Sequence, residues 1–305
     1  MDALSEIISL LRPKAAIAGV TESYSPWGIQ FSGYDYVKFG FISEGDCWLT
    51  MKGQKNVLLE EGDAWILIRP LTFRVGSEVE GPTAMSEDFF RVSKPRYITG
   101  KPSLKNRKSV IFGGGLYFDQ TNSGLVLDNL PPVIVLKKEQ VSNSLKSIMG
   151  VLQYESHTSA MGSKVVIEAL IQLIFIEAIR TMDFNNLKIG ILKGLNHPEI
   201  NKVIDAIHKD YKRDWTVAEL AKIYGASRSS FAANFKSTLG MSPMEYVQRW
   251  RMIHAKEALR HGQQRISDIA YSVGYESVTA FSTAFSKVVG QAPKAYREEA
   301  QCVEA

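Results

Sequence analysis

The chain has five imidazoles, at His157, His197, His208, His254 and His261, and none lies in residues 1–156. A metal-dependent barrel enzyme needs several His and a carboxylate converging on one ion. That inventory excludes a His-ligated metal from the N-terminal half. The two cysteines, Cys47 and Cys302, lie far apart and form no metal-ligand spacing. Cys47 offers either a redox-responsive thiol or an inert one; sharing a strand face with Leu49 and Met51 favours the inert, buried reading. Cys302 sits beside Glu298, Glu299 and Glu304, whose charges disfavour a thiolate. Gly113-Gly114-Gly115 is not followed by Lys and Ser or Thr in phosphate-loop order and reads as a flexible hairpin corner. No nucleophile elbow or dinucleotide-binding turn is present, so neither an enzyme nor a cofactor or metal is expected.

The informative spacing is a repeat between residues 216 and 297. Ala221 and Gly225 recur 49 residues later as Ala270 and Gly274. After a one-residue slip the offset becomes 50: Phe231, Phe235, Gly240, Pro243 and Tyr246 match Phe281, Phe285, Gly290, Pro293 and Tyr296. Each unit makes sense as a helix-turn-helix. The alanine lets two helices approach, and the glycine supplies a positive φ at the turn. Ser227 or Ser277 caps the second helix, and the two phenylalanines, four apart, face inward. The opposite face then carries Ser229, Ala232, Ala233 and Lys236 in the first unit, and Val278, Thr279, Ser282 and Thr283 in the second. Short side chains there let a backbone and base edges come close. A linking helix from Met244 to about Arg260 would span about 26 Å. Two reading helices held by it could enter successive major grooves, about 34 Å apart on one face of DNA. The alternative for a single unit is an ordinary α-hairpin with a glycine turn; a matched pair weighs heavily against that reading.

These helices need a frame. At 305 residues the chain is long enough for two domains. The first half reads as β, with strands expected at 36–42, 47–51, 57–59, 64–68, 73–75, 109–112 and 133–136, the spacing of a barrel or sandwich. Few elements are expected in 76–108. The second half reads as helical. Val141, Leu145, Ile148 and Leu152 form one apolar stripe, and Val166, Leu170, Leu173 and Ile174 another, widened by Ile167, Ile171 and Ile179. This helix pair either covers the barrel or also forms a dimer interface. Residues 183–197 read as a linker, and Pro198 as the first turn of the next helix. The expected division is thus 1–182 (barrel about 10–136, helices about 139–182), linker 183–197, helical domain 198–298 and tail 299–305.

Composition agrees with a soluble globular chain: 45% hydrophobic, 22% charged, with 11 prolines and 23 glycines. No run of about 18 apolar residues exists, so no membrane partner is expected. The acidic start Met1-Asp2-Ala3-Leu4-Ser5-Glu6 is unlike a signal peptide, and the sparse cysteines suit a reducing cytoplasm. Residues 197–305 carry 15 Lys and Arg against 12 Asp and Glu. This mild basic excess is by itself a weak pointer to nucleic acid.

Residues 200–298 resemble the DNA-binding domain of the AraC/XylS family of bacterial transcription regulators. The resemblance covers both helix-turn-helix units and includes Gly240, Ser242, Pro243, Tyr246, Arg251 and Ala255, with Pro293, Tyr296 and Arg297 closing it. The N-terminal part is similar to the cupin-type sensor domain of one branch of that family. The segments that carry this are Leu10-Leu11-Arg12-Pro13, Gly45-Asp46-Cys47-Trp48-Leu49, Glu61-Gly62-Asp63 and Leu130-Pro131-Pro132. The resemblance implies an α+β two-domain chain: an N-terminal cupin-like β-barrel with covering helices, and a C-terminal all-α double helix-turn-helix. It implies an effector-responsive activator that is a homodimer, binds double-stranded promoter DNA, contacts RNA polymerase and senses a small molecule or stress signal.

DNA contacts are expected from Arg228, Ser229, Ala232, Ala233 and Lys236 in the first unit. In the second they are expected from Ser277, Val278, Thr279, Ser282, Thr283 and Lys287. Arg249 and the helix N-termini add backbone anchoring. The family often carries Arg or Lys two residues before Phe235 and Phe285, where this chain has Ala233 and Thr283. Specificity is therefore expected to rest on small polar groups, methyl contacts and DNA shape. Candidate effector contacts are Trp27, Trp48, Trp65 and Arg69, each with core packing as its alternative. The rival class is a small-molecule-binding or enzymatic cupin protein whose C-terminal helices serve as an interaction module.

Overall fold

The computed structural model describes residues 3–11, 14–32, 34, 36–69, 71–90, 96–99, 101–118, 124, 126–158 and 160–304. It divides into two compact units. One holds residues 12–119 and 130–182; the other holds 1–11, 120–129 and 183–305.

The first unit is built from two sheets. One runs in the order β11 (Val133–Leu136), β6 (Ala64–Leu67), β3 (Val37–Glu44), β10 (Lys108–Tyr117), β1 (Lys14–Tyr24), β9 (Arg96–Thr99). The other runs β5 (Val57–Glu60), β4 (Asp46–Met51), β7 (Phe73–Gly76), β2 (Gly28–Phe31), β8 (Ala84–Met85). Neighbours are antiparallel except β1 with β9 and β2 with β8. Alternation sets the faces. In β4, Cys47, Leu49 and Met51 are buried while Asp46, Trp48 and Thr50 are only partly covered. Burial, with Asp46 and Asp63 nearby, pushes the Cys47 thiol far up, away from the reactive thiolate.

Gly113-Gly114-Gly115 is not a hairpin corner. The three glycines lie inside β10, opposite Gly40, Phe39 and Lys38 of β3. Ladder bonds on both sides, to β3 and β1, hold them extended, whatever their own propensity. Between β7 and β9 the order comes from a side chain. Buried Arg74 donates to Thr83 Oγ1 at 2.9 Å and to the carbonyls of Glu78 (2.5 Å), Val79 and Pro82 (both 3.3 Å). β8 and a single helical turn, α2 (Ser86–Phe89), follow.

Helices α3 (Asn143–Thr158) and α4 (Ser163–Thr181) pack together and against β1 and β10. The buried stripe of α3 uses Leu145, Met149 and Leu152, with Ile148 only half-buried. That of α4 is Ile171, Ile174, Phe175, Ala178 and Ile179, whereas Val166 and Leu173 are exposed. An α-helix that is apolar on most sides gives the period no contrast, so the sequence did not reveal which stripe faces inward.

The second unit is helical. α1 (Ala3–Leu11), expected within the barrel domain, groups here, with Ala3, Ile7 and Ile8 buried. Its Glu6 Oε2 lies 3.1 Å from His208 Nδ1. His208 also stacks on Trp250, with ring centroids 3.6 Å apart, and its Nε2 is 2.7 Å from Tyr246 Oη. Burial, with His254 beside it, lowers its pKa to about 3 and keeps the imidazole neutral. The 183–197 stretch is not a bare linker. It holds a 3-10 turn (Phe184–Asn186) and α5 (Ile191–Leu195), whose Ile191 and Leu192 are buried. Seven helices follow: α6 (Pro198–Lys209), α7 (Val217–Tyr224), α8 (Arg228–Leu239), α9 (Pro243–His261), α10 (Ile266–Ser272), α11 (Val278–Val289) and α12 (Pro293–Glu304). α12 runs through the expected tail as far as Glu304. The side chain of Cys302 lies outside the described residues, as does that of His157. Among the described residues no helix is long and apolar enough to cross a membrane.

Candidate nucleic-acid interface and ligand cavity

The repeat is visible in space as two closely matched helix-turn-helix units. α7 ends at Gly225 with φ +84°, and the equivalent turn after α10 uses Gly274 with φ +85°. Ser227 Oγ accepts from the Ser230 amide at 3.3 Å, and Ser277 Oγ from the Ala280 amide at 3.2 Å. Each serine thus caps a 12-residue second helix, α8 or α11. Both helices close on a left-handed glycine, Gly240 and Gly290, at φ +86° and +87°. Each next helix, α9 or α12, opens with a proline, Pro243 or Pro293. Phe231, Phe235, Phe281 and Phe285 are fully buried, as their four-residue spacing predicts.

The outward faces carry the expected residues. In α8, Arg228, Ser229, Ala233 and Lys236 are exposed and Ala232 is partly covered. At and within α11, Ser277, Thr279, Thr283 and Lys287 are exposed, with Val278 and Ser282 partly covered. α9, 19 residues and about 28 Å long, joins the two units. On it Arg249 is exposed but holds Glu245 Oε1 at 3.0 Å, which leaves it less available than a free cation. Arg251 faces inward. Its Nε donates to the Tyr211 carbonyl at 2.8 Å, and its Nη2 to those of Lys212 and Arg213 at 3.3 and 2.8 Å. It positions the loop before α7.

Inside the barrel lies a cavity of about 380 Å³. Trp27 and Trp65 line it; Trp48 and Arg69 do not. Trp48 is on the outward face of β4, one residue out of phase with the core, and Arg69 is exposed beyond the end of β6. The lining also holds Tyr34, Tyr36 and Lys38. Lys38 Nζ donates to Tyr36 Oη at 2.9 Å and lies 4.8, 4.7 and 4.4 Å from the ring centres of Phe31, Tyr34 and Tyr36. Burial lowers its pKa to about 8. A signal for this cluster was present in the sequence: Tyr34, Tyr36, Lys38 and Gly40 alternate, the period of one strand face. Gly40 has its own reason, because a Cβ there would collide with the Trp65 ring. Among the described residues no group of three or more His, Cys, Asp and Glu side chains is placed to hold a metal.

Comparison with known proteins agrees with both halves. The Cupin family matches residues 2–182, and a Helix-turn-helix domain family matches 220–299. A putative AraC-like transcription regulator of Streptomyces lividans is 31% identical over 303 residues, spanning 98% of each chain. A second, from Streptomyces antibioticus, is 32% identical and covers 98% of this chain and 99% of that one. The HTH-type transcriptional regulator AlkR of Acinetobacter baylyi is 32% identical over 307 residues, covering 98% of this chain and all of the relative. Full-length similarity at this level, joined to a paired helix-turn-helix behind a cupin barrel, makes the chain a member of the AraC-type family of DNA-binding transcription regulators.

Proposed function

We propose that this regulator reads two successive major-groove segments with α8 and α11, and that a small molecule in the barrel cavity sets its DNA affinity. The observation that carries the reading is the equivalence of the two exposed helix faces, with capped starts, glycine ends and one linking helix between them. Ser229, Ala232, Ala233, Val278, Thr279, Ser282 and Thr283 offer hydroxyls and methyls to base edges. Arg228, Lys236 and Lys287 supply phosphate contacts, and Ser277 presents its helix start to the backbone. Homodimerisation through α3 and α4 is supported by the exposed Val151, Tyr154, Val165 and Leu173. Effector binding would then change the population of the DNA-competent state, and with it promoter occupancy or contact with RNA polymerase.

The test is footprinting and a salt series with the full chain on DNA upstream of its own and neighbouring genes. Two protected segments about 10.5 base pairs apart on one face are expected. Lys236→Ala and Lys287→Ala should each weaken binding to all sequences and reduce the salt slope by about one. A footprint confined to one segment, or binding equal on all DNA, would sink the two-groove reading.

A further inference from the structure

The barrel cavity contains an electrostatic imbalance. Among the described lining residues Lys38 is the single cation, and it pairs with no carboxylate; its partners are one phenol oxygen and three ring faces. Ring faces attract a cation but do not neutralise it. An ammonium taken out of water without a counter-ion is costly, and a ligand that brings one removes part of that cost. Glu87, the carboxylate on the lining, is exposed at the rim.

The two tryptophans of the lining contribute ring surface rather than donors. The indole Nε1 atoms of Trp27 and Trp65, both lining residues, are buried and have no acceptor among the described residues. A buried donor normally has a partner. Both atoms are closed off from solvent and from the open space of the cavity, so the charged group the cavity presents to a ligand is the Lys38 ammonium, and the tryptophans present their rings. Around that ammonium the wall is apolar and largely aromatic: Ile29, Val75, Ile111, Phe90 and the two tryptophan rings. Its volume of about 380 Å³ sits toward the low end for small-ligand sites, which run from about 300 to 1,000 Å³.

We propose that the barrel cavity binds an aromatic monocarboxylate, its anionic head against Lys38 Nζ and its flat body among Trp27, Trp65 and the apolar wall. The proposal rests on the reading of this cavity as the effector site and names the class of ligand. Glycines extend the room for such a body: Gly19 and Gly113, paired across β1 and β10, lie in phase with the lining residues Thr21 and Ile111 and leave that face without side chains.

The experiment is calorimetric titration of the full chain with 2-naphthoate, 4-phenylbutyrate and indole-3-acetate, each beside its neutral primary amide, at pH 7 and pH 9. At least one acid should bind ten times or more tightly than its amide. The acid stays ionised throughout, while Lys38, at about 8, passes from mostly charged to mostly neutral. The other titratable groups facing the cavity are Tyr34, Tyr36, Tyr117 and Glu87. Tyr34 is held at about 12 by burial. Acid affinity should therefore fall about tenfold from pH 7 to pH 9, and amide affinity should not. Lys38→Met should erase both the preference and the pH dependence, whereas Lys38→Arg should keep the preference. If Lys38→Met does not fold, the wild-type pH profile decides. Equal binding of acid and amide, a preference that survives Lys38→Met, or no acid binding below millimolar concentration overturns the proposal. A Lys38-dependent acid that leaves DNA affinity unchanged upholds the anion site and overturns only the effector reading. A neutral compound that binds as well as its acid and changes DNA affinity does the reverse.

Discussion

The two helix-turn-helix units share a fold and differ in how each is held. In the first, α7 opens with a closed capping box. Thr216 Oγ1 accepts from the Glu219 amide at 3.2 Å, and Glu219 Oε2 accepts from the Thr216 amide at 2.9 Å. At its turn, the space where a Gly225 side chain would sit is empty to 4 Å. In the second unit, α10 has no side-chain cap at Arg265. Its turn glycine, Gly274, is pressed against the backbone of Lys212, and Arg251 both anchors that backbone and lies 5.6 Å from the Tyr275 ring. Local hydrogen bonds secure the first unit, and long-range packing secures the second. Equal-looking sequence repeats can thus be stabilised by different links in the chain from residue to fold.

Alanine at the two turn glycines gives the sharpest contrast. Gly225→Ala meets no atom and costs only the left-handed backbone, about 1–2 kcal/mol. Gly274→Ala adds a collision with the Lys212 carbonyl, so about 2–5 kcal/mol is expected in total. Chemical denaturation of the full chain measures both. Equal costs would show that the loop at Lys212 yields freely and would abolish the distinction.

Arg251 comes next. Its guanidinium serves three carbonyls, and removing a charged donor from such bonds costs about 1.5–3 kcal/mol. Arg251→Met should speed amide exchange in 211–213 and in α10 more than in α7. Arg251→Lys should recover only part, since an ammonium cannot reproduce the planar fork. Combined with Gly274→Ala, the loss should be non-additive, because both changes act on one loop.

The legibility of the two halves follows the same division. The helical repeat could be read because its determinants are local. Ser227 and Ser277 cap, Gly225 and Gly274 turn, and pairs of phenylalanines at four-residue spacing point inward, all within about twenty residues. The barrel strands β3 to β7 were legible from alternation and turn residues. β1 was not: in Lys14–Tyr24 three alanines and a glycine are mixed with Ile17, Val20 and Thr21 without clean alternation, and it is a strand because β10 and β9 flank it. The candidate DNA face followed from helical phase, whereas the cavity followed only in part. Trp27 and Trp65 were found by type, Trp48 failed by one residue of strand phase, and Lys38 entered only as one residue of the expected strand 36–42. Its environment is made by Phe31, Tyr34 and Tyr36, which reach it from a strand of the opposite sheet, a loop and its own strand's approach.

The smallest effect tests the local end of the comparison. Thr216→Ala removes the hydroxyl from the capping box, for an expected loss of about 1 kcal/mol. If the first unit rests on that local pair, protection should fall in the first turn of α7 and leave α10 and α11 as before. One contact makes this a demanding test. Arg213, whose carbonyl accepts from Arg251, also holds Glu219 Oε1 at 2.5 Å, so the same loop reaches both units. Freed from Thr216, Glu219 keeps that ion pair, and the loop stays braced by Arg251. Faster exchange in α10 on Thr216→Ala would mean that the capping box also steadies the loop beneath Gly274, and that the two units stand on one support.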